Sequence, residues 1–362
     1  MSDPRYWVGF SLIRGIGAAR IRRLLEQFGS LQDAWGASMS GLRGAGLSRN
    51  LAEQVVYQRD RLDLNAELAR LDQIGVQALT WDSPDYPSLL REVYNPPPVL
   101  YVRGEITPED SLSVALVGTR GPSVHGKEAA RRLAHDLAEN GITVVSGLAL
   151  GIDGIAHRAA LDAGGRTLAV LACGLDQVKP ARHRELATRL MAQGALISDY
   201  ALGVKPEARN FPPRNRIISG LSLGTVVVEA GIKSGALITL RFAIEQGRET
   251  FAVPGNIQSR ASMGTNQAIQ RGHAKLVTCV QDILQELNIS MIQEQRDARQ
   301  VLPETADERA LWEHVSDEPT HIDELVRASG LPTEKVSATL ALMELKGLVR
   351  SVERMSYIRS HS

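Results

Sequence analysis

The run Phe211-Pro-Pro-Arg-Asn-Arg-Ile-Ile-Ser-Gly220 gathers an aromatic ring, two guanidinium groups and a side-chain amide into ten residues. A phenyl face can stack on a nucleobase of any identity. Arg214 and Arg216 carry planar donor forks that match phosphate oxygens. Asn215 reads as the cap of an apolar helix starting at Ile217. A helix start is already an anion site, because its first backbone N–H groups lack partners within the helix. Any one of these residues would suit a solvated Pro-rich turn. Together they point to a site for a phosphate backbone and a base.

Such groups need a frame. Residues 66–288 alternate continuous apolar runs of β type with helical stretches. Strands are predicted over 114–117, 142–145, 168–171, 225–228 and 249–253, with helices over 126–140 and 152–163 among them. Continuous apolar strands are expected where both sheet faces are covered. The alternation predicts an α/β fold with a doubly wound, mostly parallel sheet. Ligands of such sheets bind beyond the carboxyl ends of the strands.

The loops at that edge are rich in Gly and polar residues. Gly118-Thr-Arg-Gly-Pro-Ser123 offers Arg120, and Ser146-Gly-Leu-Ala-Leu-Gly-Ile-Asp153 offers Ser146 and a glycine-rich turn for an anion. Asp153 reads first as a helix cap, and His157, one turn later, as its hydrogen-bond partner. Lys179 and Arg182 follow the third strand, and Ser234-Gly235 opens another helix. One loop of this kind is weak evidence; several along one edge argue for a polyanion. The pattern Gly-x-Gly-x-x-Gly and a Walker motif are both absent, which speaks against dinucleotide binding and ATP hydrolysis.

Bulk properties narrow the class. Lys plus Arg and Asp plus Glu each number 41 in 362 residues, so no global basic field exists and any anion site is a local patch. Residues 179–216 hold eight Lys/Arg against three Asp/Glu, a net of +5. Cys173 and Cys279 lie far apart beside apolar runs and read as buried free thiols of a reducing cytoplasm. The eight histidines show no metal-ligand spacing, so neither metal nor cofactor is expected. A membrane span and a signal peptide are not expected either.

The flanks read as separate helical domains. Residues 1–65 show helix, Gly-x-Gly hairpin and helix around Leu12 to Ile21, with a second Gly-rich hinge at Leu42 to Leu47. Such helix–hairpin–helix units bind DNA phosphates in some proteins and only pack in others. Residues 289–306 are polar and read as a linker. Residues 307–362 suggest three helices and a β-wing, the order of a winged helix. Lys335 and Lys346 are the cations near the third helix, beside Glu334 and Glu344, so a basic groove-reading face is missing. Protein contact or packing suits that domain better than duplex reading.

Together these motifs resemble the DNA-processing protein A family, also called Smf. The residues carrying the resemblance are Val117-Gly-Thr-Arg120, Ser146 to Asp153, Phe211 to Ser222, Val228-Glu-Ala230, Ser234-Gly-Ala-Leu-Ile-Thr239, Glu245 to Gly255, Ser262 to Asn266 and Pro96 to Gly104. The resemblance covers the whole chain. It implies an extended Rossmann-like core that binds single-stranded DNA and forms a homodimer. It further implies protection of incoming DNA in natural transformation and loading of the RecA recombinase. By motif, the pocket falls on Arg120, Lys205, Phe211, Arg214, Asn215, Arg216 and Ser234. This chain has Lys179-Pro180 where the family usually carries Tyr-Pro, so Lys179 enters the set from its charge alone. A second reading is an enzyme, a nucleotide phosphoribohydrolase of related fold. Leu223-Gly-Thr-Val-Val-Val-Glu229 is similar to that signature, but it lacks Pro-Gly-Gly and its Glu lies one residue late, on the opposite strand face.

Overall fold

The computed structural model describes residues 3–289, 305–316, 319–345, 348–352 and 355–359. They belong to two compact units, Met1–Leu287 and Asn288–Ser362. Nearly all of the expected linker, and Lys346, lie outside the described residues.

The first unit opens with helices α1 (Pro4–Ser11), α2 (Ala18–Phe28), α3 (Leu31–Gly36), α4 (Met39–Gly44), α5 (Arg49–Arg59) and α6 (Leu64–Gln73). Ser30, Ser38 and Ser48 cap α3, α4 and α5 by accepting backbone N–H groups. The α1–α2 hairpin turns at Gly15, whose φ of +100° suits glycine. The expected domain boundary at residue 65 falls within α6. These helices share their core with the sheet that follows. Trp7 meets Trp81 edge to face at 5.5 Å, and Ser11 Oγ lies 2.9 Å from the Tyr101 hydroxyl. Trp7, Phe10 and Leu24 sit in one buried cluster with Ala169, Leu171 and Leu196.

The strands are β1 (Val76–Thr80), β2 (Val99–Gly104), β3 (Ser113–Val117), β4 (Thr143–Ser146), β5 (Thr167–Val170), β6 (Gly194–Ser198), β7 (Gly224–Val227), β8 (Glu249–Ala252) and β9 (Lys275–Leu276). Between and after them lie α7 (Ser88–Glu92), α8 (Val124–Glu139), α9 (Ile152–Asp162), α10 (Arg184–Ala192), α11 (Phe211–Gly220), α12 (Ala236–Glu245), α13 (Met263–Gln270) and α14 (Val280–Glu286). The nine-stranded sheet has the order β1-β2-β6-β5-β4-β3-β7-β8-β9. From β6 to β9 the pairings are parallel, and β2 runs antiparallel to both β1 and β6. The chain winds outward from β3 to β6, then returns to set β7 on β3's other side. This reversal opens a crevice beyond the carboxyl ends of β3 and β7. Beneath it, Val117, Val145 and Val170 pack with Ile217 and Ile218 of α11 and Leu240 of α12.

The second unit contains α15 (Ala306–Trp312), β10 (Thr320–His321), α16 (Ile322–Ser329), α17 (Thr333–Leu345), β11 (Val349–Val352) and β12 (Ser356–Arg359). Its three strands order as β10-β12-β11, which is the helix and wing order of a winged helix. Leu311, Leu325, Val336, Leu340 and Met343 form its core. On α17 the described cation, Lys335, is held by Asp307 at 2.8 Å. Among the described residues of the chain, no helix is long and apolar enough to cross a membrane.

Candidate nucleic-acid interface

The helix α11 begins earlier than expected, at Phe211. Proline is tolerated in a first turn because its missing N–H has no intrahelical partner to lose. Asn215 is therefore interior to α11 and not a cap. Its amide donates to the Gly235 carbonyl at 3.4 Å and ties α11 to the turn before α12.

The ring of Phe211 is half-buried beside two guanidinium groups. Arg120 Cζ lies 5.2 Å from the ring centroid and Arg214 Cζ 5.9 Å. Cations near a π face are attracted to it and stiffen the arrangement. Two cavities share these three side chains in their walls. The larger, about 760 Å³, is lined by Thr119, Arg120, Asp153, Phe211, Arg214, Asn215, Lys233 and Ser234 among others. The smaller, about 290 Å³, is lined by Arg120, Gly147, Leu150, Cys173, Lys179, Phe211 and Arg214 among others.

Arg214 is 3% exposed. One of its terminal nitrogens donates to the Val170 carbonyl, and its Nε has no hydrogen-bond partner among the described residues. Gly147 makes room for it, since a methyl group there would strike the guanidinium. Burial works against the Arg214 charge, and Asp153 supports it. In turn, burial pushes the Asp153 carboxyl up while Arg214 opposes that shift. Among the described residues Arg214 forms no ion pair. A buried cation without a contacting counter-charge favours an incoming anion.

The acid that follows β7 is already committed. Glu229 accepts from the Ser123 N–H at 2.8 Å and from the Ser123 hydroxyl at 2.6 Å. Its carboxylate thus fills the anion site at the start of α8.

Residues 77–288 match the family described as DNA recombination-mediator protein A, and residues 295–353 match the DprA winged helix domain. The chain belongs to that family. Protein Smf of Synechocystis is 35% identical over 99% of this chain and 99% of its own length. Protein Smf of Escherichia coli is 40% identical over 81% of this chain and 80% of its own. The X-ray structure of DNA processing protein A from Streptococcus pneumoniae superposes with a TM-score of 0.69. It is 34% identical over 79% of this chain and 99% of that one. The Helicobacter pylori DNA processing protein A, described with a single-stranded DNA binding mode, gives a TM-score of 0.54. It is 30% identical over 59% of this chain and 96% of that one.

Within this family member the expected site residues divide. Arg120, Phe211, Arg214, Asn215 and Ser234 converge on the larger cavity, and Lys179 joins on the smaller. Arg182 and Lys205 are exposed but line neither cavity. Arg216 also stands apart. It pairs with Asp199 at 2.8 Å and donates to the Asn95 carbonyl, with 16% of its side chain exposed. Ser146 is fully buried, and its hydroxyl donates to the Leu116 carbonyl at 2.6 Å, so it has no surface to offer a ligand. Asp153 accepts from the Ala149 N–H at 3.3 Å, while His157 bonds Thr167 and Leu148 instead of Asp153. Cys173 is buried, and burial pushes its thiol up to about 11; Cys279 is half-buried, not buried as expected. Lys233 went unread. It is exposed on the larger cavity and precedes the Ser-Gly start of α12, which is the signal that marks it.

Proposed function

We propose that this chain binds single-stranded DNA at the crevice around Phe211. One observation carries the reading: an aromatic ring with two guanidinium groups within 6 Å of its centroid, one of them buried and outside any contacting ion pair among the described residues, at the switch point of a parallel sheet. A base stacks on Phe211, a contact worth about 1–3 kcal/mol and tolerant of sequence. Phosphates bridge Arg120, Lys233, Ser234 and Lys179, with Arg182 and Lys205 extending the track along the same edge. Arg214 supplies charge from below. Arg216 and Ser146 hold the frame, Arg216 through Asp199 and Ser146 through Leu116.

The protein acts in the cytoplasm as a homodimer built on the sheet-bearing unit, protects incoming strands and hands them to the RecA recombinase. This part of the reading rests on family membership. The role is binding and not catalysis. Glu229, the acid a phosphoribohydrolase would need, is consumed in capping α8.

Fluorescence anisotropy with labelled single-stranded and duplex oligonucleotides across a salt series is the test. Each neutralised phosphate contributes about −0.7 to the log–log slope for a single strand. A slope near zero would reject the site.

A further inference from the structure

We propose that His157 and His183 are positioning residues for DNA binding: they clamp the backbone of Leu148 and thereby set the β4–α9 loop, against which Arg120 and Arg214 rest. This inference rests on the single-stranded DNA reading above. Leu148 lies between β4 and α9, fully buried, with φ at +54°. A leucine in the left-handed region carries a local cost and persists only where its surroundings hold it there. Here both of its backbone polar groups are held by imidazoles. His157 Nε2 accepts from the Leu148 N–H at 3.3 Å, and His183 Nδ1 donates to the Leu148 carbonyl at 3.0 Å.

The tautomer of His157 follows from its neighbours. Thr167 Oγ1 donates its proton to the Val144 carbonyl at 2.6 Å. At 2.7 Å from His157 Nδ1, that oxygen can then only accept, so the His157 proton sits on Nδ1. The Nε2 lone pair is thereby aimed at Leu148. Burial pushes His157 down to about 3, which keeps it neutral at any working pH. His183 is packed as tightly, since a methyl group on Gly154 would strike its ring.

What the clamp holds is the floor of the site. Gly147, just before Leu148, lies against the guanidinium of Arg214, and Gly151 presses on the backbone of Thr119 and Arg120. Ala149 lines both cavities and Leu150 the smaller. If Leu148 relaxes toward an ordinary conformation, both ends of the loop move, and the two guanidinium groups lose their spacing across Phe211. Neither histidine lines either of these two cavities.

The test compares His157→Leu, His157→Gln and Thr167→Val with the parent and with Arg120→Ala, at a temperature where every protein is folded. A Gln carbonyl oxygen stands the same number of bonds from Cβ as Nε2, so it restores an acceptor for Leu148. Thr167→Val keeps the shape but leaves the buried His157 Nδ1–H without its acceptor. Loss of one buried acceptor is expected to weaken single-stranded DNA binding about tenfold in His157→Leu and Thr167→Val. The salt slope should stay at the parent's value, and His157→Gln should return most of the affinity. Nitrogen NMR of His157 should report the Nδ1–H tautomer in the parent. If Arg120→Ala weakens binding while His157→Leu and Thr167→Val bind like the parent, the clamp is overturned alone. Equal weakening by His157→Leu and His157→Gln also overturns it, since core packing would then explain both. A parent that fails to bind, or an Arg120→Ala that binds like the parent, overturns the reading of the site and the clamp with it.

Discussion

At the scale of single residues, the arginines of the crevice do different work although they look alike in sequence. Arg120 is exposed and its guanidinium rests on Phe211, so Arg120→Ala should flatten the salt slope by about 0.7 with little change in melting temperature. Phe211→Ala should lower affinity while leaving the slope near the parent's, because stacking releases no counter-ions. Arg216→Ala should act on stability instead. It leaves the Asp199 carboxylate half of a largely buried pair, a loss of about 3–5 kcal/mol that thermal melts would register. His157 adds a pH dependence. Its folded pKa of about 3 lies below the ordinary 6.5, so the unfolded chain binds the extra proton between those values. Stability is therefore complete above about pH 6.5 and falls as pH drops, at up to about 1.4 kcal/mol per unit. The buried Asp153 and Asp199, both raised, act with the opposite sign. The difference between parent and His157→Gln melts isolates the histidine, and parallel profiles would remove it.

At the scale of elements, the β4–α9 loop is the piece whose backbone is least replaceable. Gly151 has φ of +82° and touches the Thr119 carbonyl so closely that no Cβ fits. Gly151→Ala should destabilise the unit by about 1–3 kcal/mol, read by chemical denaturation. Gly147→Ala differs, since the atom in its way is the end of a side chain. It should displace Arg214 and weaken DNA binding more than it lowers the melting temperature. The reverse order of effects would show that the Arg214 position does not matter to binding. The first helix of the crevice, α11, is placed by the same logic: Asn215 fastens it to the turn before α12.

At the scale of the whole molecule, the N-terminal helices are part of the sheet's core and not an appended module. Trp7, Phe10 and Leu24 share a cluster with strand residues, so a fragment starting at residue 66 would expose that surface. The right fragment for assembly is 1–287, the compact unit. Sedimentation of this fragment should give a dimer at tens of micromolar, and a monomer there would reject dimerisation through the sheet-bearing unit. Deleting residues 288–362 should leave single-stranded DNA affinity nearly unchanged, because the described cation on α17 is neutralised by Asp307. A large loss on deletion would assign the winged helix a share of binding.

The amino-acid sequence by itself determined the layered plan and the chemistry of the edge. Continuous apolar runs such as Val114 to Val117 are strands wherever both faces are covered, and Gly-rich loops after them can only sit at the carboxyl edge. Other elements were not legible. The strand β6, Gly194–Ser198, is too short and plain to be told from a buried helical turn by periodicity. Its identity comes from pairing, for Gly194 lies against the Thr167 carbonyl where no side chain fits. The start of α11 was misread because a Pro pair signals a turn unless it falls in a helix's first residues. Within the site, sequence supplied the residue types but not their employment. Arg214 and Arg216 are two positions apart in one helix and so point to different faces, one into the crevice and one to Asp199. Ser146 ends β4 and Glu229 follows β7, and the tertiary structure spends their polar groups on Leu116 and on the start of α8. Which polar group is free and which is consumed depends on partners distant in the chain, and only the folded arrangement brings those partners together.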